Sequence, residues 1–314
     1  MSLTIGVDIG GTKVLAGVVD ESGQILEQDR RDTPKTDPEA IAEEIAAAVA
    51  ALRANHEIEA VGIGAAGWID ADRANVMFAP NLVWRNEPLK LRVSKLIDLP
   101  IVVENDANCH AWAETRFGAA RGERTVLAVT LGTGIGCGIV IEGALFRGGF
   151  GVAGEPGHMR VVPDGRLCGC GNRGCWEQYA SGNALAREAR DAARVAPLSL
   201  PHLMASVGGD IDAITGPLVT DAARAGDEGA LKCFDTVGRW VGQGLADLAT
   251  ILDPACFVIG GGAADAGPLI LDPARSAFAA ALSGGAYRPH APILVAELGN
   301  AAGLVGAADL ARFH

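Results

Sequence analysis

This sequence predicts a two-domain α/β protein, on three observations. Short apolar runs pass into glycine turns at Gly10-Gly11-Thr12, at Gly132-Thr133-Gly134 and at Gly260-Gly261-Gly262. Strand-like and helix-like patterns alternate along most of the chain, as expected of an α/β protein. The design of residues 4–19, strand then Gly/Thr turn then strand, returns at residues 125–141. That repeat is weak in identity, but it places a second copy of one architecture later in the chain.

In order, Thr4 to Ile9 reads as a buried strand, Gly10 to Lys13 as a tight turn and Val14 to Val19 as the returning strand. Residues 24–33 give a third strand. Residues 38–55 carry helical spacing behind Asp37 and Pro38, which suit the cap and the first turn. Residues 60–65 form a buried strand ending at Ala66-Gly67, residues 75–82 read as irregular and residues 88–97 as helical. A short strand at residues 101–103 leads into Glu104-Asn105-Asp106 and a helix from about 107 to 117. Asp106 thus lies where a strand ends and a helix begins, a common address for functional groups in open α/β sheets. A helix cap is an equal reading there, and Asn105 or Asp106 could supply it. Helices follow at residues 182–195, 216–225 and 228–252, then a core strand at 255–259 and a helix from about 268. Residues 292–295 suit an edge strand and 301–313 a closing helix. The expected boundary lies near residues 110–120. It divides a small domain (1–112, with 301–314 folding back onto it) from a large one (113–300).

Composition narrows the function. The chain has 314 residues, 49% hydrophobic and 20% charged, enough to bury a sizeable core. No apolar run approaches bilayer length. A strand pattern starting at Leu3 leaves no room for a signal peptide, and seven cysteines, an odd number, suit a reducing, cytoplasmic setting. A formal net charge of −12 argues against nucleic acid as partner. It does not argue against a nucleotide, because glycine turns bind phosphate through backbone N–H groups. None of the three turns has the Walker spacing, and the first leads into a strand rather than the helix of a dinucleotide fold. One such turn alone is usually a hairpin. Three, two with threonine and one with Asp8 beside it, favour a nucleotide held between two domains. Asp8 is available to hold Mg²⁺ directly or through water.

The densest chemistry lies at residues 155–177. His158, Cys168, Cys170 and Cys175 are spaced His-x9-Cys-x-Cys-x4-Cys, with Gly169, Gly171 and Gly174 between the thiols. Zn²⁺ prefers four tetrahedral N/S ligands, and close cysteine spacings let one loop supply several. A disulfide or plain buried thiols are the simpler readings. A Cys-x-Cys pair sits too close for an easy bridge, and nothing suggests an oxidising compartment. With all four positions filled by protein, the metal has no open site and acts as a staple. Glu155 and Glu177 bracket the knot, placed to accept hydrogen bonds from a metal-bound imidazole or from ligand hydroxyls.

Together these residues resemble the ROK family of sugar kinases and sugar-responsive regulators, over essentially the whole chain. Asp8-Ile9-Gly10-Gly11-Thr12-Lys13 is similar to the family's first phosphate motif and Leu131-Gly132-Thr133-Gly134-Ile135-Gly136 to its second. Gly260-Gly261-Gly262 is similar to its adenosine-side turn. Glu155-x-Gly-His158 and the cysteine run through Glu177 are the specific signatures. The resemblance implies an actin/hexokinase-like (ribonuclease H-like) fold, with sugar and ATP in an interdomain cleft beside a zinc-stapled loop. It implies ATP-dependent phosphorylation of glucose at the 6-hydroxyl, with Asp106 as general base. Asn81, Asn105, Glu155, His158 and Glu177 correspond to sugar contacts. Asp8, Gly10, Gly11, Thr12, Lys13, Gly132, Thr133, Gly134, Gly261 and Gly262 correspond to nucleotide contacts. Structural Zn²⁺, Mg²⁺ with ATP and a homo-oligomer (dimer or tetramer) come with it.

Trp68 and the Pro80-Asn81-Leu82 loop look more like the glucose branch than like a kinase for N-acetylglucosamine or N-acetylmannosamine. A repressor of the same family is expected to carry a helix-turn-helix extension before the first strand, which here begins at Leu3, and a less acidic charge. An actin-like or chaperone ATPase would share the turns but has no reason to carry the metal knot.

Overall fold

The computed structural model describes residues 2–79 and 82–313. The chain falls into two compact units, Met1–Ala128 with Cys137–Gly154 and Ala296–His314, and Val129–Gly136 with Glu155–Val295.

The first unit is built on a five-stranded sheet of β1 (Thr4–Ile9), β2 (Lys13–Val19), β3 (Ile25–Asp32), β4 (Ala60–Ala65) and β8 (Ile101–Asn105), ordered β3-β2-β1-β4-β8. β1, β2 and β3 are antiparallel neighbours, whereas β1, β4 and β8 run parallel. Side chains alternate between the faces of a strand. Ile5, Val7, Ile9, Val14, Ala16, Val18, Val61, Ile63 and Val103 join one core with Ile41, Ile45 and Leu52 of α1 (Pro38–Arg53) and Leu89 and Val93 of α2 (Leu89–Val93). Asp37 caps α1 as expected, accepting from the N–H groups of Glu39 and Ala40.

The opposite face is a trough of glycine. Gly6 is in register with Gly17 on one side and Gly62 on the other. The C-terminal helix α10 (Ala302–Leu310) lies along this row. A Cβ on Gly6 would fall 1.9 Å from the Leu304 carbonyl oxygen, and one on Gly62 would fall 1.8 Å from that of Ala307. On its far side α10 meets α3 (Asp106–Arg116), where a Cβ on Gly306 would fall 1.8 Å from the Cys109 carbonyl oxygen. Missing side chains thus let one helix lie backbone-to-backbone between a sheet and a second helix. Asp309 on α10 closes the contact, accepting from Trp112 Nε1 at 2.8 Å and Arg116 Nε at 3.1 Å.

Residues 113–128 and 137–154, expected in the second domain, stay with the first unit. The reason is close packing on α3, because a Cβ on Gly138 would lie 2.4 Å from that of Ala111. Two local expectations also change. The stretch 75–82, expected irregular, contains β6 (Val76–Phe78), which pairs with β5 (Trp68–Ile69) and β7 (Arg85–Glu87) in a small sheet. The helix expected at 88–97 is regular only over α2. Beyond it the Lys95 and Leu96 N–H groups bond three residues back, consistent with a chain that must turn before Pro100 and β8.

In the second unit, β12 (Cys256–Gly260) and β13 (Ile293–Val295) pair in parallel. β9 (Val126–Leu131) enters this unit at Val129, and β10 (Ile135–Ile141), which pairs antiparallel with β11 (Ala144–Leu145), leaves it at Cys137. The helices are α4 (Glu177–Ala180), α5 (Gly182–Val195), α6 (Pro201–Ser206), α7 (Gly216–Arg224), α8 (Glu228–Leu252) and α9 (Pro268–Ala281). α8 and α9 also pack through glycine: a Cβ on Gly242 would fall 2.2 Å from the Ala274 carbonyl oxygen. Among the described residues no helix is long and apolar enough to cross a membrane.

Candidate active site

The sequence-predicted residues form one constellation in each unit. In the first, parallel β1, β4 and β8 end side by side, so Asp8 and the Asn105-Asp106 pair come to one edge of the sheet. Asp8 lies on the trough face, and a Cβ on Gly303 of α10 would lie 3.3 Å from its carboxyl carbon. The turn after β1 is closed by the Gly10 N–H donating to the Lys13 carbonyl at 2.9 Å. Thr33 pins it, its hydroxyl on the Gly10 carbonyl at 2.9 Å and its N–H on that of Thr12 at 3.2 Å.

The β8–α3 junction separates the two readings of Asp106. Asn105 is the N-cap: its side-chain oxygen accepts from the Asn108 N–H at 3.0 Å. Its Nδ2 donates to the Gly67 carbonyl at 2.9 Å and to Asp106 Oδ1 at 3.1 Å. Asp106, relieved of the cap, is the first helical residue, and Oδ1 also accepts from the Ala107 N–H at 2.9 Å. Burial, and then the charge of Asp8, push the Asp106 carboxyl up to about 6 against these hydrogen bonds. Burial also raises Asp8, with Lys13 opposing.

In the second unit the residues between His158 and Glu177 fold into an irregular hairpin, with bridges pairing Arg160 with Cys175 and Leu167 with Arg173. Gly174 is required where it stands. It has a φ of +76°, and a Cβ there would fall 1.7 Å from the Val162 carbonyl oxygen. The ligand atoms of His158, Cys168, Cys170 and Cys175 all lie within 4.8 Å of one another. Cys168 Sγ is 3.6 Å from His158 Nδ1, and Cys170 Sγ is 3.6 Å from Cys175 Sγ. A tetrahedral zinc with bonds of about 2.3 Å to sulfur needs edges of about 3.7 Å, so the four groups fit such an ion. The thiols are free, as the metal reading expects. Burial raises the Cys168 and Cys175 thiols, and Glu177 adds to this at Cys168, whose Sγ is 3.0 Å from Glu177 Oε1. A cation there would relieve this crowding of acidic groups.

Glu177 is placed twice over. Oε1 faces the thiols, and a Cβ on Gly134 would fall 2.4 Å from Oε2. The knot and the second glycine turn therefore meet at one carboxylate. His158 turns Nδ1 toward Cys168 and Nε2 toward Glu155 Oε2, 3.9 Å away. The turn itself is braced by the Gly182 N–H on the Gly132 carbonyl and the Ala263 N–H on that of Leu131, both at 2.8 Å. Gly261 is packed against Leu131, where a Cβ would fall 2.7 Å from the carbonyl oxygen.

Asn81 lies outside the described residues. Sequence reasoning missed two features. Gly182 packs on the second turn, announced only by a serine-glycine pair before a helix. Glu104 is fully buried beside the Asn105-Asp106 pair and faces two arginines.

Comparison with known proteins gives a consistent picture. The model of the ROK family matches residues 4–313. A glucokinase from Streptomyces coelicolor is 55% identical over 312 residues, covering 99% of this chain and 98% of that protein. The crystal structure of a ROK family glucokinase from Streptomyces griseus in complex with glucose and AMPPNP superposes with a TM-score of 0.90. It is 56% identical and covers 100% of both chains. An N-acetylmannosamine kinase from Escherichia coli is 32% identical over 314 residues, covering 98% of each chain.

Proposed function

The chain belongs to the ROK family, with its actin/hexokinase-like fold, and on that premise we propose that it is a glucokinase, transferring the γ-phosphoryl group of ATP to the 6-hydroxyl of glucose. Identity of more than half, end to end, with glucokinases carries this reading, one of them solved with glucose and an ATP analogue. The N-acetylmannosamine kinase is far more distant at 32%, and a net charge of −12 suits neither a repressor nor any nucleic-acid partner. A cytoplasmic homo-oligomer completes the proposal.

Asp106 is the general base. Its described hydrogen bonds go to Oδ1, which leaves Oδ2 to take the 6-hydroxyl proton as that oxygen attacks the γ-phosphorus, the bond from phosphorus to the β,γ-bridging oxygen breaks and ADP leaves. Asn81, Asn105, Glu155, His158 and Glu177 hold the sugar hydroxyls. The backbone N–H groups of Gly10, Gly11, Thr12, Gly132, Thr133, Gly134, Gly261 and Gly262, with Lys13, hold ATP. Asp8 is the residue to hold Mg²⁺, which when bound neutralises developing phosphate charge. His158, Cys168, Cys170 and Cys175 would hold zinc as a staple that fixes Glu155 and Glu177.

A coupled assay over four sugars tests the substrate. Glucose should show higher kcat/KM than mannose, N-acetylglucosamine and N-acetylmannosamine, because a carboxylate left without its hydroxyl partner costs about 1–3 kcal/mol. Glu177→Gln should narrow the margin between glucose and mannose. A higher value for either N-acetyl sugar would pass the protein to the other branch and leave the kinase reading standing.

The pH profile has a defined sign. Asp106 works ionised, so with its carboxyl at about 6, kcat/KM should fall about tenfold for each step of one in pH below that value and level off above it. A rate that stays flat well into the acid range would remove Asp106 from the base role.

A further inference from the structure

Glu104 is only 1% exposed, yet it serves four groups at once. Oε1 accepts the Asn105 backbone N–H at 2.9 Å and Asn108 Nδ2 at 3.0 Å. Oε2 lies 3.2 Å from Arg73 Nε and 2.8 Å from Arg147 Nε, charge contacts rather than aligned hydrogen bonds. Arg147 reaches on, donating from Nη1 to the Ala71 carbonyl at 2.9 Å and from Nη2 to that of Asp70 at 2.8 Å. Asp70 in turn closes its own turn, accepting from the N–H groups of Ala74 at 2.9 Å and Asn75 at 3.1 Å. Gly151 presses the segment after Arg147 onto that turn, since a Cβ there would fall 2.6 Å from the Asp70 carbonyl carbon. The Glu104–Asn105 peptide, one residue before Asp106, is therefore tied to two separate loops through one carboxylate. Asn105 is gripped on both sides, its N–H by Glu104 and its side chain by Gly67.

A buried carboxylate facing two guanidinium groups is a costly way to gain stability, because Glu104 loses its water and Arg147 most of it. It does fix direction where hydrogen bonds of set geometry hold it, at Glu104 Oε1 and at the two Nη groups of Arg147. We propose that Glu104, braced by Arg147, is a positioning residue for phosphoryl transfer, setting the Asn105 peptide and with it the aim of the Asp106 carboxyl. This rests on Asp106 being the base. Neither side chain needs to touch substrate. Glu104→Gln keeps the shape, but its NH2 must face donors in either orientation, the two arginines or the Asn105 and Asn108 N–H groups, so the amide has to shift and the Asn105 peptide with it. Arg147→Lys keeps a cation near Glu104 but loses the fork that grips Asp70 and Ala71.

The test compares Glu104→Gln, Arg147→Lys, Arg147→Met and Asp106→Asn in the full chain, measuring kcat, both KM values and the stoichiometry of glucose binding by calorimetry. Small misplacements of a reacting group cost up to about 10²-fold in rate. Glu104→Gln and Arg147→Met should approach that loss in kcat at full glucose stoichiometry with the ATP KM unchanged, and Arg147→Lys should fall between them and wild type. A purely structural role would lower kcat only in step with binding stoichiometry, and that result overturns the proposal. So does wild-type kcat in Glu104→Gln beside an inactive Asp106→Asn. If Glu104→Gln does not fold, equal kcat for Arg147→Lys, Arg147→Met and wild type overturns it instead. An active Asp106→Asn would remove the base itself, and the positioning role with it.

Discussion

Asp106→Asn should lower kcat by about 10²–10⁴-fold, the usual contribution of a positioned general base, and leave the glucose KM near its wild-type value. The amide matches the carboxylate in shape and keeps the Oδ1 acceptor for Ala107 and Asn105, but it cannot take a proton. Stability gives an independent check. The native carboxyl is raised to about 6 from the ordinary aspartate value of 3.8, so the unfolded state holds the ionised form more readily. Native stability is therefore lost as pH rises through that window and stays reduced above it, with about 1.4 kcal/mol as the ceiling for each tenfold loss of acidity. The neutral amide escapes this cost, so the variant should be at least as stable as wild type at pH 7 and above. Half of wild-type kcat in a well-folded Asp106→Asn protein would make the residue an ordinary helix-terminal carboxylate.

Cys170→Ala should cost zinc, glucose affinity and thermal stability together. Cys170 is the exposed member of the four, so removing its sulfur opens no cavity, and the effect reports on the metal. Structural zinc sites contribute about 10–16 kcal/mol of apparent binding free energy in small peptides, and part of that is folding free energy here. Without the ion the hairpin that fixes Glu177 loses its tie, and His158 loses its orientation. Metal analysis of the wild type should find about one zinc per chain, as four ligands imply. A Cys170→Ala protein with full zinc and an unchanged glucose KM would refute the staple.

What could be read in the sequence was local. The cysteine spacing, the glycine turns and the strand-to-helix step at Asp106 each occupy one short stretch whose residue types fix the backbone. Glu104 was not legible because its meaning lies in Arg73 and Arg147, brought together only by tertiary folding. Val76–Phe78 was too short to show alternation, and it is a strand only because β5 and β7 flank it. Gly6, Gly17 and Gly62 read as weak points in strands until α10 is seen to lie on them.

That glycine trough orders events on the ribosome. β1, β2 and β4 are made early, but the helix that covers their open face follows the whole of the second unit in the chain. A sheet face with glycine at its centre offers little for a nascent chain to collapse against. The unit begun first is thus finished last, with α3 lacking its partner helix until then. The second unit can settle in the interval, while the N-terminal strands wait for α10.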